Sequence, residues 1–357
     1  MDSFGRKFRV SIFGESHGNA IGVVLDGVQP GIALCEDDFM ADILRRKSGA
    51  RGTTPRIETD IPEILSGLYE GHTTGAPLAI IFRNLNTRSS DYTLFRDIPR
   101  PGHADYTASI KWMDFNDPRG GGHFSGRLTL PIVAAGVVAK KMTGCDVSAR
   151  LTEVGGVTRQ EALSCLTDAV YGETGRPEGE LTASEIWKDV LDEAIRTGDS
   201  VGGIVECKVE NVPAGLGEPF FDSVESLVSH AVFSIPGVRG IEFGDGFMAA
   251  RMKGSQHNDP LGATGTVSQN IHINARPAKN GAGGVNGGIT NGNPIMFRVA
   301  FKPTSSISRP QRTFNFATGE MDTLSIPGRH DVCIALRTPV IVEAMTAIVL
   351  ADLIRML

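Results

Sequence analysis

RPGHADYTASIKWMDFNDPRGGGHFSGR, residues 100–127, stands directly before an apolar run, LTLPIVAAGVVAKKM at 128–142, which predicts a buried helix. Three consecutive glycines at 120–122 cost backbone entropy and add no packing, so they are expected where the backbone approaches another group closely. A helix that begins after such a loop, with Ser125 and Arg127 beside it, offers an anion-binding site. A glycine-rich turn with solvated arginines would explain the same residues.

Length and composition limit the classes of protein to consider. A chain of 357 residues can form one large α/β or α+β domain or two smaller ones. The content of 41% hydrophobic and 21% charged residues is ordinary for a globular protein, and the net charge of -6 argues against a general nucleic-acid binder. Many glycines (43) and few aromatics (6%) predict close backbone approaches, as around a phosphate-bearing ligand.

The cysteines and the apolar segments indicate a cytoplasmic protein. The five cysteines are scattered without a CxxC pair, which favours reduced thiols in the cytosol. The first residues, MDSFGRKFRVSIF, lack an apolar core of signal-peptide length. The apolar segment 340–357 contains Glu343, Asp352 and Arg355, so it predicts a buried or interface helix rather than a membrane span.

A short motif near the start of the chain suggests a different enzyme class. Residues 14–18, GESHG, follow a strand predicted at Phe8–Phe13 and match the G-x-S-x-G pattern of a hydrolase nucleophile elbow. Such an elbow needs a helix directly after the serine, whereas 20–27 is β-branched and predicts a strand. A serine hydrolase that uses Ser16 is therefore the disfavoured alternative.

Three further loops each allow a structural and a functional interpretation. The helix predicted at 36–47 ends in a basic loop, RRKSGARGTTPR at 45–56, which is either solvated or binds anions. NGAGGVNGGITNGN at 280–293 predicts a flexible hairpin or a loop that packs on a planar ligand. KPTSS at 302–306 predicts a phosphate cradle or a capped turn.

The remaining patterns narrow the chemistry. Acidic helical segments over 153–200 predict an exposed helical insertion within a single domain of residues 1–357. No two histidines have the i, i+4 spacing of a metal site and no Cys/His ligands cluster in the sequence, so a metal site is not expected. Arginines, motif histidines, a lysine–hydroxyl loop and glycine loops predict a site that binds polyanions and transfers protons.

Nine segments, in this order, resemble the chorismate synthase family over nearly the whole chain. They are GESHGNAIGVVLDGVQPG at 14–31, RRKSGARGTTPR at 45–56, ILSGLYEGHTTGAPLA at 64–79, RPGHADYT at 100–107, RGGGHFSGR at 119–127, VPAGLGEPFFD at 212–222, GGVNGGITNG at 283–292, KPTSS at 302–306 and GRHD at 328–331. The sequence departs from the family at 123–128. There the family usually has an arginine, a small residue and then Ser-Ala-Arg-Glu, and this chain has His123, Phe124, Ser125, Gly126, Arg127 and Leu128.

The resemblance implies a fold, a reaction and partners. The implied fold is an α+β sandwich of two pseudo-symmetric halves, with helices inside and sheets outside. The implied enzyme is a lyase of the shikimate pathway and of aromatic amino acid biosynthesis. It converts 5-enolpyruvylshikimate 3-phosphate to chorismate by 1,4-anti elimination of phosphate, using reduced FMN (FMNH2) that is not consumed. The family is homotetrameric. Some members reduce FMN with NADPH, and others depend on a separate flavin reductase.

The resemblance also implies roles for single residues, each by matching position. His17 is the general acid near the substrate phosphate, His103 lies beside the flavin, and Asp331 relays a proton through flavin N5. From the sequence alone, Asp331 would instead be the N-cap of the C-terminal helix. The arginines implied to bind substrate are Arg45, Arg51, Arg100 and Arg127.

The cofactor residues implied by the resemblance form three groups. The flavin phosphate is expected at Lys302, Pro303, Thr304, Ser305 and Ser306. The flavin ring is expected against His123, Phe124, Ser125, Pro236, Gly237, Gly287 and Arg329. Arg46 and Arg51 match positions associated with NADPH. A non-catalytic flavin- or anion-binding protein of the same fold is the third alternative, beside the lyase and the hydrolase.

Overall fold

The computed structural model describes residues 2–55, 58–86, 94–165, 181–263, 275–326 and 330–357. Its α-helices are α1 (Met40–Arg46), α2 (Asp105–Trp112), α3 (Thr129–Thr143), α4 (Arg159–Cys165), α5 (Ala183–Ile186), α6 (Lys188–Thr197), α7 (Val224–Val232), α8 (Gly254–His257) and α9 (Pro339–Met356). Short 3₁₀ turns lie at Glu36–Phe39, Arg119–Phe124, Gly126–Leu128, Phe220–Asp222, Gly246–Arg251 and Ile334–Arg337.

The strands form two five-stranded antiparallel sheets and several two-stranded ribbons. The first sheet has the order β1 (Ser3–Phe4), β2 (Arg9–Gly14), β3 (Ala20–Asp26), β7 (Leu78–Arg83) and β4 (Glu63–Ser66). The second has the order β11 (Val238–Phe243), β16 (Ile295–Phe301), β10 (Gly203–Glu210), β8 (Asp146–Val154) and β9 (Val157–Thr158). The ribbons pair β5 (Leu68–Tyr69) with β6 (His72–Thr73), β12 (Leu261–Ala263) with β13 (Ala275–Pro277), β14 (Val285–Asn286) with β15 (Ile289–Thr290), and β17 (Gln311–Asn315) with β18 (Glu320–Leu324).

Two apolar helices lie between the two sheets. α3 is buried from Thr129 to Ala139, and α9 is buried from Val340 to Leu353 on every face. A helix that is apolar all round requires cover on all sides. α3 packs on the first sheet, α9 packs on the second, and the two helices pack on each other. The result is the expected α+β sandwich, with one sheet and one long helix in each half.

The two helices approach closely at a single glycine. A Cβ added at Gly136 of α3 would lie 2.3 Å from the Cβ of Ala344 on α9. Only a residue without a side chain permits this separation. The glycine therefore sets how closely the two halves pack.

We expect Gly136→Ala to lower the free energy of unfolding. Alanine favours a helix over glycine by about 1 kcal/mol, but overpacking a close-packed core costs about 1–3 kcal/mol. Urea denaturation followed by circular dichroism measures the difference. Gly254→Ala is the matched control because no atom lies within 4 Å of an added Cβ there. Equal midpoints for the two variants would contradict the close approach.

Two buried carboxylates within α9 bind distant parts of the chain. Glu343 accepts hydrogen bonds from Arg45 (2.6 and 2.7 Å), from Lys140 Nζ (3.0 Å) and from the backbone N–H of Ala149 (2.8 Å). Asp352 accepts from the backbone N–H groups of residues 6–8 at 2.6–2.9 Å. Buried charges are tolerated where every oxygen has partners, as here.

Most predicted elements of the fold are confirmed. The strands predicted at 8–13 and 20–27 are β2 and β3, and the helix predicted at 128–142 is α3. In the predicted insertion, Ile186, Trp187 and Leu191 are buried in the main core. The expected exposure therefore holds for the outer faces of α4 and α6 and not for these three residues. Among the residues that the structure describes, no helix has the length and apolarity that a membrane crossing requires.

Candidate active site

A cavity of about 920 Å³ lies where the two halves meet. Its walls come from β1 and β2, the turns on either side of α2, the start of α3, the end of α7, residues 234–239, residues 302–306 and the segment before α9. The described residues that line it include seven lysine or arginine and four aspartate or glutamate side chains. A chain of net charge -6 thus concentrates positive charge in its cavity, as a polyanion-binding site requires.

One buried carboxylate holds two of the cavity arginines. Asp60, with 2% of its side chain exposed, accepts from Arg46 Nη2 at 2.9 Å and from Arg127 Nη1. Burial alone would raise the pKa of Asp60, but the two guanidinium groups lower it below its usual value. Burial lowers the pKa of Arg46 to about 10, and the Arg46 Nε atom has no hydrogen-bond partner among the described residues. The pair of arginines therefore exceeds its carboxylate by one positive charge.

A second ion pair lies in the segment before α9. Asp331 accepts from Arg337 Nη2 at 2.7 Å and from the backbone N–H of Thr54 at 2.9 Å. The N-cap of α9 is Thr338, so the structure does not use Asp331 as that cap. Asp331 lines the cavity, which leaves it available to a ligand there.

The RPGHAD turn, residues 100–105, forms a compact ionic network. Asp105 accepts from Arg100 Nε and Nη2, both at 2.7 Å, and its Oδ1 lies 2.7 Å from His103 Nδ1. Arg100 also donates to Ser306 Oγ at 3.3 Å and lies 4.5 Å from the ring centroid of Phe95. Burial and the positive charges of Arg100 and Lys302 lower the pKa of His103, while Asp105 opposes them.

His17 lies behind the cavity wall rather than on it. A Cβ added at Gly120 would lie 2.6–2.8 Å from the His17 ring and from Ser16 Oγ, and Gly120 itself lines the cavity. Gly120, Gly121 and Gly122 all have positive φ angles, which side chains rarely adopt. Gly120 therefore separates His17 from the cavity, and residues 120–122 are called the glycine wall.

The 302–306 cradle, predicted from KPTSS, faces the same cavity. Lys302 Nζ donates to Ser305 Oγ at 2.6 Å and to the Gly102 carbonyl at 2.5 Å. Burial, followed by the charge of Arg239, lowers the pKa of Lys302. The Thr304 Oγ1 atom is buried and has no hydrogen-bond partner among the described residues. Two neighbouring cations and an unsatisfied hydroxyl fit a bound phosphate.

The 123–125 segment, where the sequence departs from the family pattern, also lines the cavity. His123 has its Nδ1 2.7 Å from the Gly14 carbonyl and its Nε2 3.0 Å from Asp2 Oδ1. Phe124 packs edge-on against Trp112 with 5.4 Å between ring centroids. Ser125 caps the following turn by accepting from the backbone N–H of Arg127. His123 therefore attaches the start of the chain to the cavity wall.

The structure brings most of the predicted site residues to one cavity. Those that line it are Arg46, Arg100, His103, His123, Phe124, Ser125, Arg127, Pro236, Gly237, Lys302, Pro303, Thr304, Ser305, Ser306 and Asp331. Arg45, Arg51 and Gly287 do not line it, because Arg45 pairs with Glu343, Arg51 pairs with Asp192, and Gly287 lies in the β14–β15 turn. Arg329 lies outside the described residues.

Several cavity residues escape prediction from the sequence. The cavity is also lined by Asp60, Arg239, His330 and Arg337. Asp105 does not line it but contacts the lining residue His103. His330 and Asp105 stand inside motifs quoted for the resemblance, so their motif membership was an available signal. Asp60 and Arg239 carry none. No group of three or more potential metal ligands is found among the described residues.

The structure excludes the nucleophile elbow. Residues 14–18 connect β2 to β3, which pair antiparallel, so a hairpin stands where an elbow needs a strand followed by a helix. Ser16 is fully buried, and its Oγ has no hydrogen-bond partner among the described residues. A serine in this position cannot attack a substrate from solvent.

Comparison with known proteins identifies the family. A family model described as chorismate synthase matches residues 8–355. A chorismate synthase of Chitinophaga pinensis is 54% identical over 354 residues, which cover 99% of this chain and 96% of that protein. The chain belongs to the chorismate synthase family.

More distant relatives agree with this family membership. A chorismate synthase of Korarchaeum cryptofilum is 45% identical over 98% of this chain and 96% of its own length. A solved structure described as a crystal structure of chorismate synthase has a TM-score of 0.70 at 29% identity, over 98% of this chain and 92% of that one. The chain is therefore a phosphate lyase that requires reduced flavin. It forms chorismate from 5-enolpyruvylshikimate 3-phosphate by 1,4-anti elimination, the last step of the shikimate pathway.

Proposed function

We propose that the elimination takes place in the cavity between the two halves, with FMN as its flavin. The observation that carries the proposal is that the RPGHAD turn, the glycine wall, the arginine pair and the 302–306 cradle all face this one cavity. These four features come from segments spread over some 260 residues of sequence, from Arg46 to Ser306. Their convergence provides anion binding and proton transfer in the same place.

The arginine pair supports binding of the anionic substrate. The substrate carries two carboxylates and a phosphate, and a helix terminus supplies only about half a charge. Arg46 and Arg127 are held rigid by Asp60 and still carry one net positive charge. Arginine binds carboxylates and phosphates through its planar fork, at about 1.5–3 kcal/mol for each charge-assisted bond.

Two histidines and one carboxylate support the proton transfers. Departure of phosphate needs a proton or positive charge at the breaking C–O bond, and His17, whose ring lies directly against Gly120 of the cavity wall, is the proposed source of that proton. His103 faces the cavity from the RPGHAD turn and holds a proton beside the flavin. Asp331, fixed by Arg337, would accept the ring proton that the substrate loses. Histidine suits the first two roles because its pKa lies near working pH.

The cradle fits the phosphate of FMN. Lys302 and Arg239 are neighbouring cations, and the buried Thr304 hydroxyl lacks a partner among the described residues. When bound, the reduced flavin supplies electron density and a proton-transfer position at N5 to the elimination. The cavity volume of about 920 Å³ lies in the range of ligand pockets, about 300–1,000 Å³.

We expect Lys302→Ala to weaken FMN binding about 10-fold, the lower end of what one charge-assisted bond contributes. Riboflavin has the same ring system but no phosphate, so its affinity is expected to change little. Fluorescence titration with both flavins measures the difference. Equal losses for FMN and riboflavin would show that Lys302 does not bind the phosphate.

Three further features stay predictions. NADPH is proposed as the source of electrons, with a separate flavin reductase as the alternative supplier. Arg46 lines the cavity, which supports it as a contact for NADPH. Arg51 instead pairs with Asp192 at the surface, which does not support the same role for Arg51. A homotetramer is proposed from the family resemblance, and a cytoplasmic location from the scattered cysteines. Light scattering measures the first of these.

An anaerobic assay tests the proposal as a whole. Purified protein is mixed with FMN, dithionite and 5-enolpyruvylshikimate 3-phosphate, and chorismate absorbance and phosphate release are followed together. Equal amounts of both products are expected. Replacing dithionite with NADPH then tests whether the protein reduces FMN itself. Binding of FMN without formation of either product would contradict the proposal.

A further inference from the structure

The ring of His103 is held by two oppositely charged neighbours. Its Nδ1 atom lies 2.7 Å from Asp105 Oδ1 and 3.1 Å from Arg100 Nη2. Asp105 is the first residue of α2, and both of its oxygens are bound by Arg100, once through each of two guanidinium nitrogens. The backbone N–H of Arg100 also donates to Asp105 Oδ2, at 3.1 Å. Arg100 therefore fixes the position of the Asp105 carboxylate, which contacts His103.

This arrangement selects one tautomer of the neutral imidazole. A guanidinium can only donate, and a carboxylate can only accept. If Nδ1 accepted from Arg100, its lone pair would face the Asp105 carboxylate at the shorter of the two distances. If Nδ1 carries the proton, it donates to Asp105 at 2.7 Å, and the lone pair remains on Nε2. The shorter contact and the negative charge both favour a proton on Nδ1.

The opposite edge of the ring lies beside Gly121. A Cβ added at Gly121, whose φ is +83°, would lie 3.4 Å from His103 Cε1 and 3.5 Å from Nε2. This edge therefore lies beside the backbone of Gly121, and His103 itself lines the cavity. A proton held at Nε2 can therefore be exchanged with a bound group, while Nδ1 stays tied to Asp105.

Asp105 also affects the protonation of His103 through its negative charge. The cations that act on the ring are Arg100 and Lys302, and His330 lies close enough to interact with it. Asp105 is the anion that opposes them, and it is itself so strongly paired that its pKa is lowered. Without this carboxylate, the imidazolium form of His103 would face only positive charge and burial.

We propose that Asp105 is a positioning residue that fixes the His103 ring with its Nε2 toward the cavity and supports its protonated form. The inference rests on the proposed role of His103 in the elimination. Carboxylate–histidine pairs serve the same purpose in other enzymes, where the carboxylate selects the tautomer without touching the substrate.

The first test is a kinetic pH profile of Asp105→Asn. The amide can place an N–H against His103 Nδ1, which moves the ring proton to Nε2. We expect turnover with pre-reduced FMN to fall about 100-fold or more, within the range ascribed to proton-transfer groups. The limb of the profile that belongs to His103 moves to lower pH, because the imidazolium loses its counter-ion. Asp105→Glu keeps the negative charge, so it is expected to retain part of the turnover and to shift the pH profile less.

The second test does not depend on turnover. Diethyl pyrocarbonate modifies unprotonated imidazole, so its rate of reaction with His103, measured by peptide mass spectrometry across pH, reports the protonation of that ring. The pH at which the rate of His103 modification is half-maximal is expected to be lower in Asp105→Asn than in the parent protein. Glu343→Gln is the matched control, because Glu343 is also a buried carboxylate bound through two oxygens by an arginine, but it does not line the cavity.

The outcomes separate this inference from the proposed function. An unchanged midpoint with unchanged turnover overturns the role of Asp105. The role is also overturned if turnover and melting temperature fall together, as in Glu343→Gln, while the midpoint of the diethyl pyrocarbonate reaction does not shift. If the parent protein forms no chorismate and the midpoint still moves, the positioning role stands and the proposed function fails. If chorismate forms and the midpoint stays, only the positioning role fails.

Discussion

His17→Ala is expected to lower the rate of chorismate formation by about two to four orders of magnitude, the contribution of a well-placed general acid or base. The imidazole lies directly behind Gly120, where an added Cβ would come within 2.6 Å of the ring, so only glycine fits there. In the proposed mechanism, removing the ring leaves the departing phosphate without its proton. Single-turnover kinetics with pre-reduced FMN measure this step without interference from flavin reduction.

The design includes a control and a second perturbation. His72→Ala removes an exposed histidine that lies outside the cavity, and its rate is expected to equal that of the parent protein. Gly120→Ala keeps His17 but places a methyl group 2.6 Å from its ring, so it is expected to reduce turnover as well. FMN affinity stays unchanged in all three variants. A His17→Ala protein with the parent rate would remove His17 from the mechanism.

Asp60→Ala is expected to lower the free energy of unfolding by about 3–5 kcal/mol, because it leaves Arg46 and Arg127 buried without their shared partner. Both arginines have side chains that are 6% exposed. Urea denaturation at pH 7 measures the change. Asp222→Ala, which removes an exposed partner of Arg6, is the control and is expected to have no measurable effect.

The same carboxylate makes stability depend on pH. The pKa of Asp60 is lower in the folded protein than its usual value near 3.9, so its contribution is fully present above about pH 4. That contribution is lost as the pH falls through the folded pKa. The difference in stability between the parent protein and Asp60→Ala is therefore expected to shrink on acidification. A difference that is constant from pH 7 to pH 3 would contradict the ion-pair explanation.

The fold was predictable where a single pattern dominates a segment. The run at 128–142 has no polar face, and this feature predicted that α3 would be covered on all sides. β2 and β3 followed from β-branched residues on either side of a turn. The order of strands within each sheet did not follow, because β10 pairs with β8 and β16 through contacts that no local pattern encodes.

The candidate site was predictable through motifs and not through charge. Arg45 and Arg46 are adjacent at the end of α1, so their side chains point about 100° apart. Arg46 faces the cavity, and Arg45 turns to Glu343. The sequence offers no means of choosing between two consecutive arginines, because the choice depends on how α1 is rotated against the core.

Asp60 illustrates the limit of reading residues one at a time. Its two partners are 14 residues before it and 67 residues after it, and neither spacing corresponds to a helix or a strand pair. Its backbone has a φ of +54°, a conformation that only the surrounding structure can enforce. A carboxylate of this kind is found only when the three-dimensional contacts are known.

The start of the chain has a practical consequence for work with this protein. Asp2 and Phe4 line the cavity, His123 holds Asp2, and Asp352 near the other end of the chain holds the backbone of residues 6–8. A group attached near Asp2 would therefore lie beside the cavity proposed to bind flavin and substrate. Leu357 is exposed and outside the cavity. Tags, fluorophores and surface attachment belong at that end.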